Sequence, residues 1–262
     1  MKKTYFLFLS LLTLGFFISC DTIEKDNFTD PDASFPWLGK KVLIEDFTGV
    51  KCPNCPDASN ELKAIEELYP DKVIGIALHA GFFAKPGGVF ETDFRTEGGE
   101  ELAEFFSTES FPIGMVNRQG YPDNVLLNFT DWASNVNEQL LQIPTIELSI
   151  SESDNRITIE ARRLSDGNNN LKLVVCITED KIIDKQYYYS DLIEDYEHNH
   201  VLRKIVNGTW GTNVDLSTSS KPFPFNYTLE SDWVRSNCNV IAFVYDSSNK
   251  EILQVEKVHL TE

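Results

Sequence analysis

Near residue 143 the hydrophobic period of this chain changes, and one repeating architecture cannot absorb the change. From Lys41 to about Gln142, short apolar runs alternate with stretches of helical spacing. Residues 41–47 read as a strand, and Val73–Leu78 as a second one, apolar on both faces as a covered parallel strand must be. Ala58, Leu62, Ile65 and Tyr69 lie one turn apart on a single helical stripe. Residues 97–107 suit a helix and Ile113–Val116 a strand. A last helix runs through Trp132, Val136 and Leu140, with Thr130 as its expected cap. Beyond Ile143 the period becomes two. Ile146, Leu148 and Ile150 alternate with polar neighbours, as do Ile157, Ile159 and Ala161, and residues 171–178, 240–245 and 252–260 follow. Leu253 and Val255 pass to Val258 and Leu260 with a slip of phase, which predicts a bulge. The chain therefore divides into an α/β domain over 37–142 and an antiparallel β-sandwich over 143–262.

The first residues bound the compartment. Lys2 and Lys3 precede an apolar run from Tyr5 to Ile18, too short for a span of about 20 residues and suited to a signal peptide. The run ends at Ser19-Cys20, which resembles the lipobox of bacterial lipoproteins. That resemblance implies a signal peptide at 1–19, cleavage before Cys20 and lipid on Cys20. Residues 20–36 are acidic, hold two prolines and lack an apolar period, so they read as an extended tether. With no second apolar stretch of spanning length, lipid would be the membrane attachment. Lys plus Arg number 23 against 41 Asp plus Glu, a formal charge of −18, which argues against a nucleic-acid partner. Five cysteines are too few for a disulfide-dense scaffold.

Cys52-Pro53-Asn54-Cys55 follows the first strand and opens the first helix. Free N–H groups and the positive dipole end of a helix favour a thiolate at Cys52. Pro53 and Pro56 are tolerated in a first turn, where their missing N–H groups lack partners anyway. Cys55, one turn on, can resolve a mixed disulfide at Cys52. Three readings stand for the pair: a redox-active dithiol, an inert disulfide, or half of a zinc site without its other half.

The segment Glu45 to Cys55 resembles the active-site segment of the thioredoxin superfamily, with Asp46 as its buried acid and Phe47 as the following aromatic. Ser110-Phe111-Pro112-Ile113 resembles that family's cis-proline loop. The resemblance implies that Asp46 aids proton transfer and that Pro112 lies beside Cys52 and shapes a peptide groove. Lys51 stands where the family has Trp, and residues 80–96 look inserted, positioned to cover or extend the site.

Of the remaining cysteines, Cys176 and Cys238 are expected either to pair or to be buried thiols. Trp210 comes too late after Cys176 for the immunoglobulin disulfide signature. His198 and His200 alternate within an acidic stretch, but their spacing matches no standard metal site, so neither metal nor cofactor is expected. His79 ends the second strand, where parallel strands present their sites. Tyr187-Tyr188-Tyr189 suits either a sticky surface or sheet packing. Residues 179–223 are too long for a plain hairpin connection, and such excursions carry function. Asp195 to Gly211, including His198, His200, Arg203 and Trp210, resembles a signature of the outer-membrane-protein-28-related family of surface lipoproteins. That resemblance implies an outer-membrane location and an adhesin or receptor role with those four residues as partner contacts. The expected fold is an α/β thioredoxin-like domain followed by an all-β immunoglobulin/fibronectin-like sandwich. Two functions compete: thiol–disulfide exchange on envelope proteins or peptides, and noncatalytic surface binding.

Overall fold

The computed structural model describes residues 39–261; the expected leader, Cys20 and the tether lie outside them. Strand β1 (Val42–Thr48) is buried along its whole length. It leads through the cysteine loop into α1 (Cys55–Leu68), and β2 (Val73–His79) returns parallel to β1, with Val42 opposite Val73 and Thr48 opposite His79. A short α2 (Gly81–Ala84) and α3 (Glu97–Phe105) follow. Thr96 caps α3 by accepting the Gly99 N–H. Strand β3 (Ile113–Val116) then runs antiparallel to β1. Before α4 (Trp132–Leu140) the cap differs from expectation. A turn of 3₁₀ helix intervenes, and the Asn128 side-chain oxygen Oδ1, not Thr130, receives the free N–H, that of Thr130 itself.

The second half is β-rich, and its strands join the first half's sheet. They are β4 (Ile146–Ser153), β5 (Arg156–Arg163), β6 (Leu171–Glu179), β7 (Ile182–Tyr188), β8 (Asp191–His198), β9 (Val201–Ile205), β10 (Thr212–Val214), β11 (Lys221–Asn226), β12 (Cys238–Asp246) and β13 (Ile252–His259). An eight-stranded sheet runs β13-β12-β6-β9-β2-β1-β3, with β10 on β6. The connection across the change of period is β9, which lies antiparallel to β6 and parallel to β2. An apolar strand such as β2 cannot be left with a bare edge, and β9 covers it. Strand β13 carries a bulge, but not at the expected slip between Val255 and Val258, where the pairing with β12 is continuous. Val244 faces Gln254 and Tyr245 faces Ile252, so Leu253 is the extra residue.

One face of this sheet carries a core shared by both halves: Leu43, Phe47, Ile76 and Leu78 from the first, Val174, Cys176, Ile241 and Phe243 from the second. The opposite face is divided. Helices α1 and α4 cover Val42, Ile44 and Val73 through Ala58, Leu62, Trp132 and Val136. The three-stranded sheet β11-β5-β4 covers Leu173, Val175, Val240 and Ala242 through Ile146, Ile157 and Ile159. Strands β7 and β8 belong to neither sheet and pair only with each other.

Cys176 and Cys238 are unpaired buried thiols, so the bridge held open by the sequence does not form. The register explains it. Cys176 faces Ile241 and Cys238 faces Glu179, and the two sulfurs enter different cores on opposite faces of the sheet.

Candidate active site

Cys52 and Cys55 form a disulfide where β1 hands over to α1. The loop is shaped by local backbone bonds: the Cys52 N–H donates to the Gly49 carbonyl at 2.9 Å and the Cys55 N–H to the Cys52 carbonyl at 3.3 Å. Residues 80–96 do approach this loop. The Lys51 N–H donates to the Phe83 carbonyl at 2.9 Å, and a Cβ on Gly49 would come within 2.5 Å of the Phe83 backbone, so the close approach requires glycine there. Phe90 and Phe94 pack with Val50.

Asp46 lies two residues before the end of β1 and shares a cavity of about 470 Å³ with Cys55, His79, His198 and His200. Its side chain is buried, and its Oδ1 has no hydrogen-bond partner among the described residues. Burial raises its pKa to about 7, against an opposing pull from His200. His79 Nδ1 and His198 Nε2 are likewise unpartnered among those residues. Burial lowers His79 to about 3 and His198 to about 4, so both rings are neutral near pH 7. Their centroids lie 5.7 Å apart, and Phe94 stands 5.1 Å from His79 and 5.2 Å from His198. For His200, burial opposes the charge, but hydrogen bonding and attraction to Glu66, with Asp180 beyond, prevail and raise its pKa. Its Nε2 lies 3.1 Å from Glu66.

The structure thus brings Cys52, Cys55, Asp46, His79, His198 and His200 together. The Phe111–Pro112 bond is cis, and the pairing of Ile113 with Phe47 carries Pro112 abreast of the β1 end that feeds the loop. Phe111 reaches the loop through Phe83, with rings 5.8 Å apart. Arg203 and Trp210 are elsewhere. Arg203 pairs with Glu179 at 3.2 Å and lies over Trp233, while Trp210 Nε1 donates to Glu101 at 2.6 Å and its ring sits 4.5 Å from Phe105. These contacts are internal, as are those of buried His198. Among the described residues no group of three or more metal-type side chains is arranged to hold an ion.

Sequence reasoning did not find the cover. Both cysteines are only 1% exposed, and besides residues 80–96 the β7–β8 hairpin lies on their loop. The Tyr187 N–H donates to the Val50 carbonyl and the Tyr189 N–H to the Pro53 carbonyl, each at 2.9 Å. Gln186 Nε2 donates to the Cys52 carbonyl at 3.0 Å, and the Tyr188 and Tyr189 hydroxyls reach Asp57 at 2.9 and 2.8 Å. The three tyrosines in a row were the available signal, but composition does not say what a hairpin rests on.

Fold and site together define a mixed α/β protein built round a Cys-x-x-Cys disulfide. The chain belongs to the family described as outer membrane protein Omp28, whose profile matches residues 100–262, a span that contains the covering hairpin and excludes the disulfide. The outer membrane is accordingly its location, as the resemblance of residues 195–211 implied. Among solved structures, HBP35 of Porphyromonas gingivalis is 17% identical, with TM-score 0.69 over 85% of this chain and 76% of its own. Protein AGR_C_4864 from Agrobacterium tumefaciens is 14% identical, with TM-score 0.57 over 86% of this chain and 96% of its own. These two share the fold. A domain of the outer membrane lipoprotein Omp28 from Porphyromonas gingivalis is 23% identical over 46% of this chain and 91% of its own, at TM-score 0.33. No curated protein matches.

Proposed function

We propose that this chain is an outer-membrane lipoprotein, lipidated at Cys20, that exchanges thiols and disulfides with envelope proteins or peptides. In its dithiol state the Cys52 thiolate attacks a client disulfide and displaces one client thiolate. Cys55 gives its proton to Asp46 and attacks the mixed disulfide, closing Cys52–Cys55 and releasing the second client thiolate. The dithiol loses two electrons and the client disulfide gains them. The parallel β1–β2 pair, the antiparallel β3 and the cis Phe111–Pro112 bond support reading residues 37–142 as thioredoxin-like. The sheet β11-β5-β4 lying on β6 and β12 supports a sandwich over 143–262.

One observation carries the proposal: a buried carboxyl, its Oδ1 without a hydrogen-bond partner among the described residues, shares the cavity of Cys55. An unpaired buried polar group costs roughly 1–3 kcal/mol, and a merely structural disulfide gains nothing from it. The test is a disulfide-bonded model peptide added to reduced Cys55→Ala protein. A covalent adduct at Cys52, released by dithiothreitol, is expected. Absence of the adduct would leave the second reading, a noncatalytic surface binding protein with a structural disulfide, which the 1% exposure of both cysteines favours.

A further inference from the structure

The β7–β8 ribbon has the geometry of a docked strand. It belongs to its own two-stranded sheet, and its register slips between Asp184 and Gln186. A bulge there re-aims side chains, and Gln186 is 3% exposed on the cysteine loop. Two residues apart, Tyr187 and Tyr189 donate their N–H groups to the Val50 and Pro53 carbonyls, three residues apart in that loop. This is how an added strand grips an exposed backbone: main-chain bonds at alternate residues, side chains fixing the register. Ile182 at the ribbon's base and Leu192 beside its turn pack against Val50, Phe90 and Phe94, and the Tyr187 ring lies 4.9 Å from that of Phe90. Its outer side offers Ile183 and Tyr189 to solvent, 56% and 62% exposed, so side-chain packing holds the ribbon on one side only.

We propose that the β7–β8 hairpin is the resident occupant of a strand-docking face formed by the Val50, Cys52 and Pro53 carbonyls and the Asp57 carboxylate, and that an extended client segment takes this face when the hairpin lifts. The client class follows from the face. Its open groups are acceptors, so it takes a β-strand with backbone N–H groups at alternate positions, a side-chain amide beside them and hydroxyl-bearing aromatics toward Asp57. This inference rests on the exchange reading for its purpose, but the cover can be tested without it.

The Gln186→Ala/Tyr188→Phe/Tyr189→Phe variant keeps the hairpin and loses its side-chain grip. If reduction proceeds through an opened state, its rate follows the open population. Dithiothreitol should then reduce Cys52–Cys55 about tenfold faster or more in the variant, three lost hydrogen bonds being worth at least that factor. A peptide of residues 182–190 in excess should slow the variant again. Equal rates in wild type and variant would overturn the cover; a faster variant that the peptide leaves unchanged would overturn the docking face. Native-state hydrogen exchange on the wild type removes dependence on how the variant folds. The Tyr187 and Tyr189 amides should exchange through local opening, faster than those of β6 and β12; exchange only with global unfolding contradicts a lifting hairpin. Should the cover stand while Cys55→Ala traps no peptide, the exchange reading alone fails.

Discussion

Glu45 and Asp46 are neighbours on β1, and their side chains leave the strand on opposite faces. Glu45 enters the core shared by both halves and is met there by Arg118, whose Nε and Nη2 donate at 2.7 and 2.6 Å. The guanidinium lies 5.5 Å from the ring of Phe106, 5.3 Å from Phe243 and 5.4 Å from Tyr245. Asp46 enters the cavity beside Cys55 and meets no such partner. A paired buried carboxylate holds architecture together, because either charge alone would be intolerable there. An unpaired one is a poor fastener and a good proton acceptor, since its charge is costly to keep and easy to neutralise.

The comparison breaks most visibly at Arg118. Replacing it with Met strands Glu45, and the free energy of urea unfolding should fall by about 3–5 kcal/mol. Adding Glu45→Leu should restore much of that loss; a neutral single substitution would show that the pair holds nothing. Asp46→Asn should act the other way. Between about pH 4 and 7 the native protein keeps a proton that the unfolded chain releases, so this group's contribution declines as pH rises through that window. The variant should therefore gain about 4 kcal/mol over wild type in urea unfolding at pH 8 and nothing below pH 4.

His79 and His198 carry the opposite sign. Their lowered values mean that the unfolded chain takes up protons first, so their contribution is present above pH 6.5 and is lost as pH falls toward 4 and 3. His198→Gln should flatten that acid limb by about 1–2 kcal/mol in unfolding curves at pH 4.5. The smallest effect belongs to Cys238→Ala, with about 1 kcal/mol lost and non-reducing gel mobility unchanged, since Cys238 bridges nothing.

Much of the first half was legible because local signals and packing agree there. The cysteines at the head of α1, the α1 stripe and the two-faced apolar β2 follow one another without interruption in the chain. Asp46 and Pro112 were legible through their motif, and His79 through its place at a strand end. Three things were not. Arg118 reads as an ordinary surface cation, and only the meeting of β1, β3 and β12 encloses it. The β9 strand pairs with β2 across more than a hundred residues, beyond any local period. The tyrosines at 187–189 declare stickiness without an address, and the address is the cysteine loop. His198 and His200 stood out in sequence, but as outward contacts rather than as walls of the cavity.

The account turns on Asp46 serving the two sulfurs, so the most direct measurement is the pH dependence of closure. Fully reduced wild type and Asp46→Asn would be oxidised by a small disulfide across pH 5 to 9, with formation of Cys52–Cys55 followed by mass. The wild-type rate should rise through a step centred near pH 7, the value to which burial lifts Asp46, and that step should vanish in the variant. Superimposable profiles would contradict the account, leaving Asp46 a buried acid beside a disulfide it does not serve.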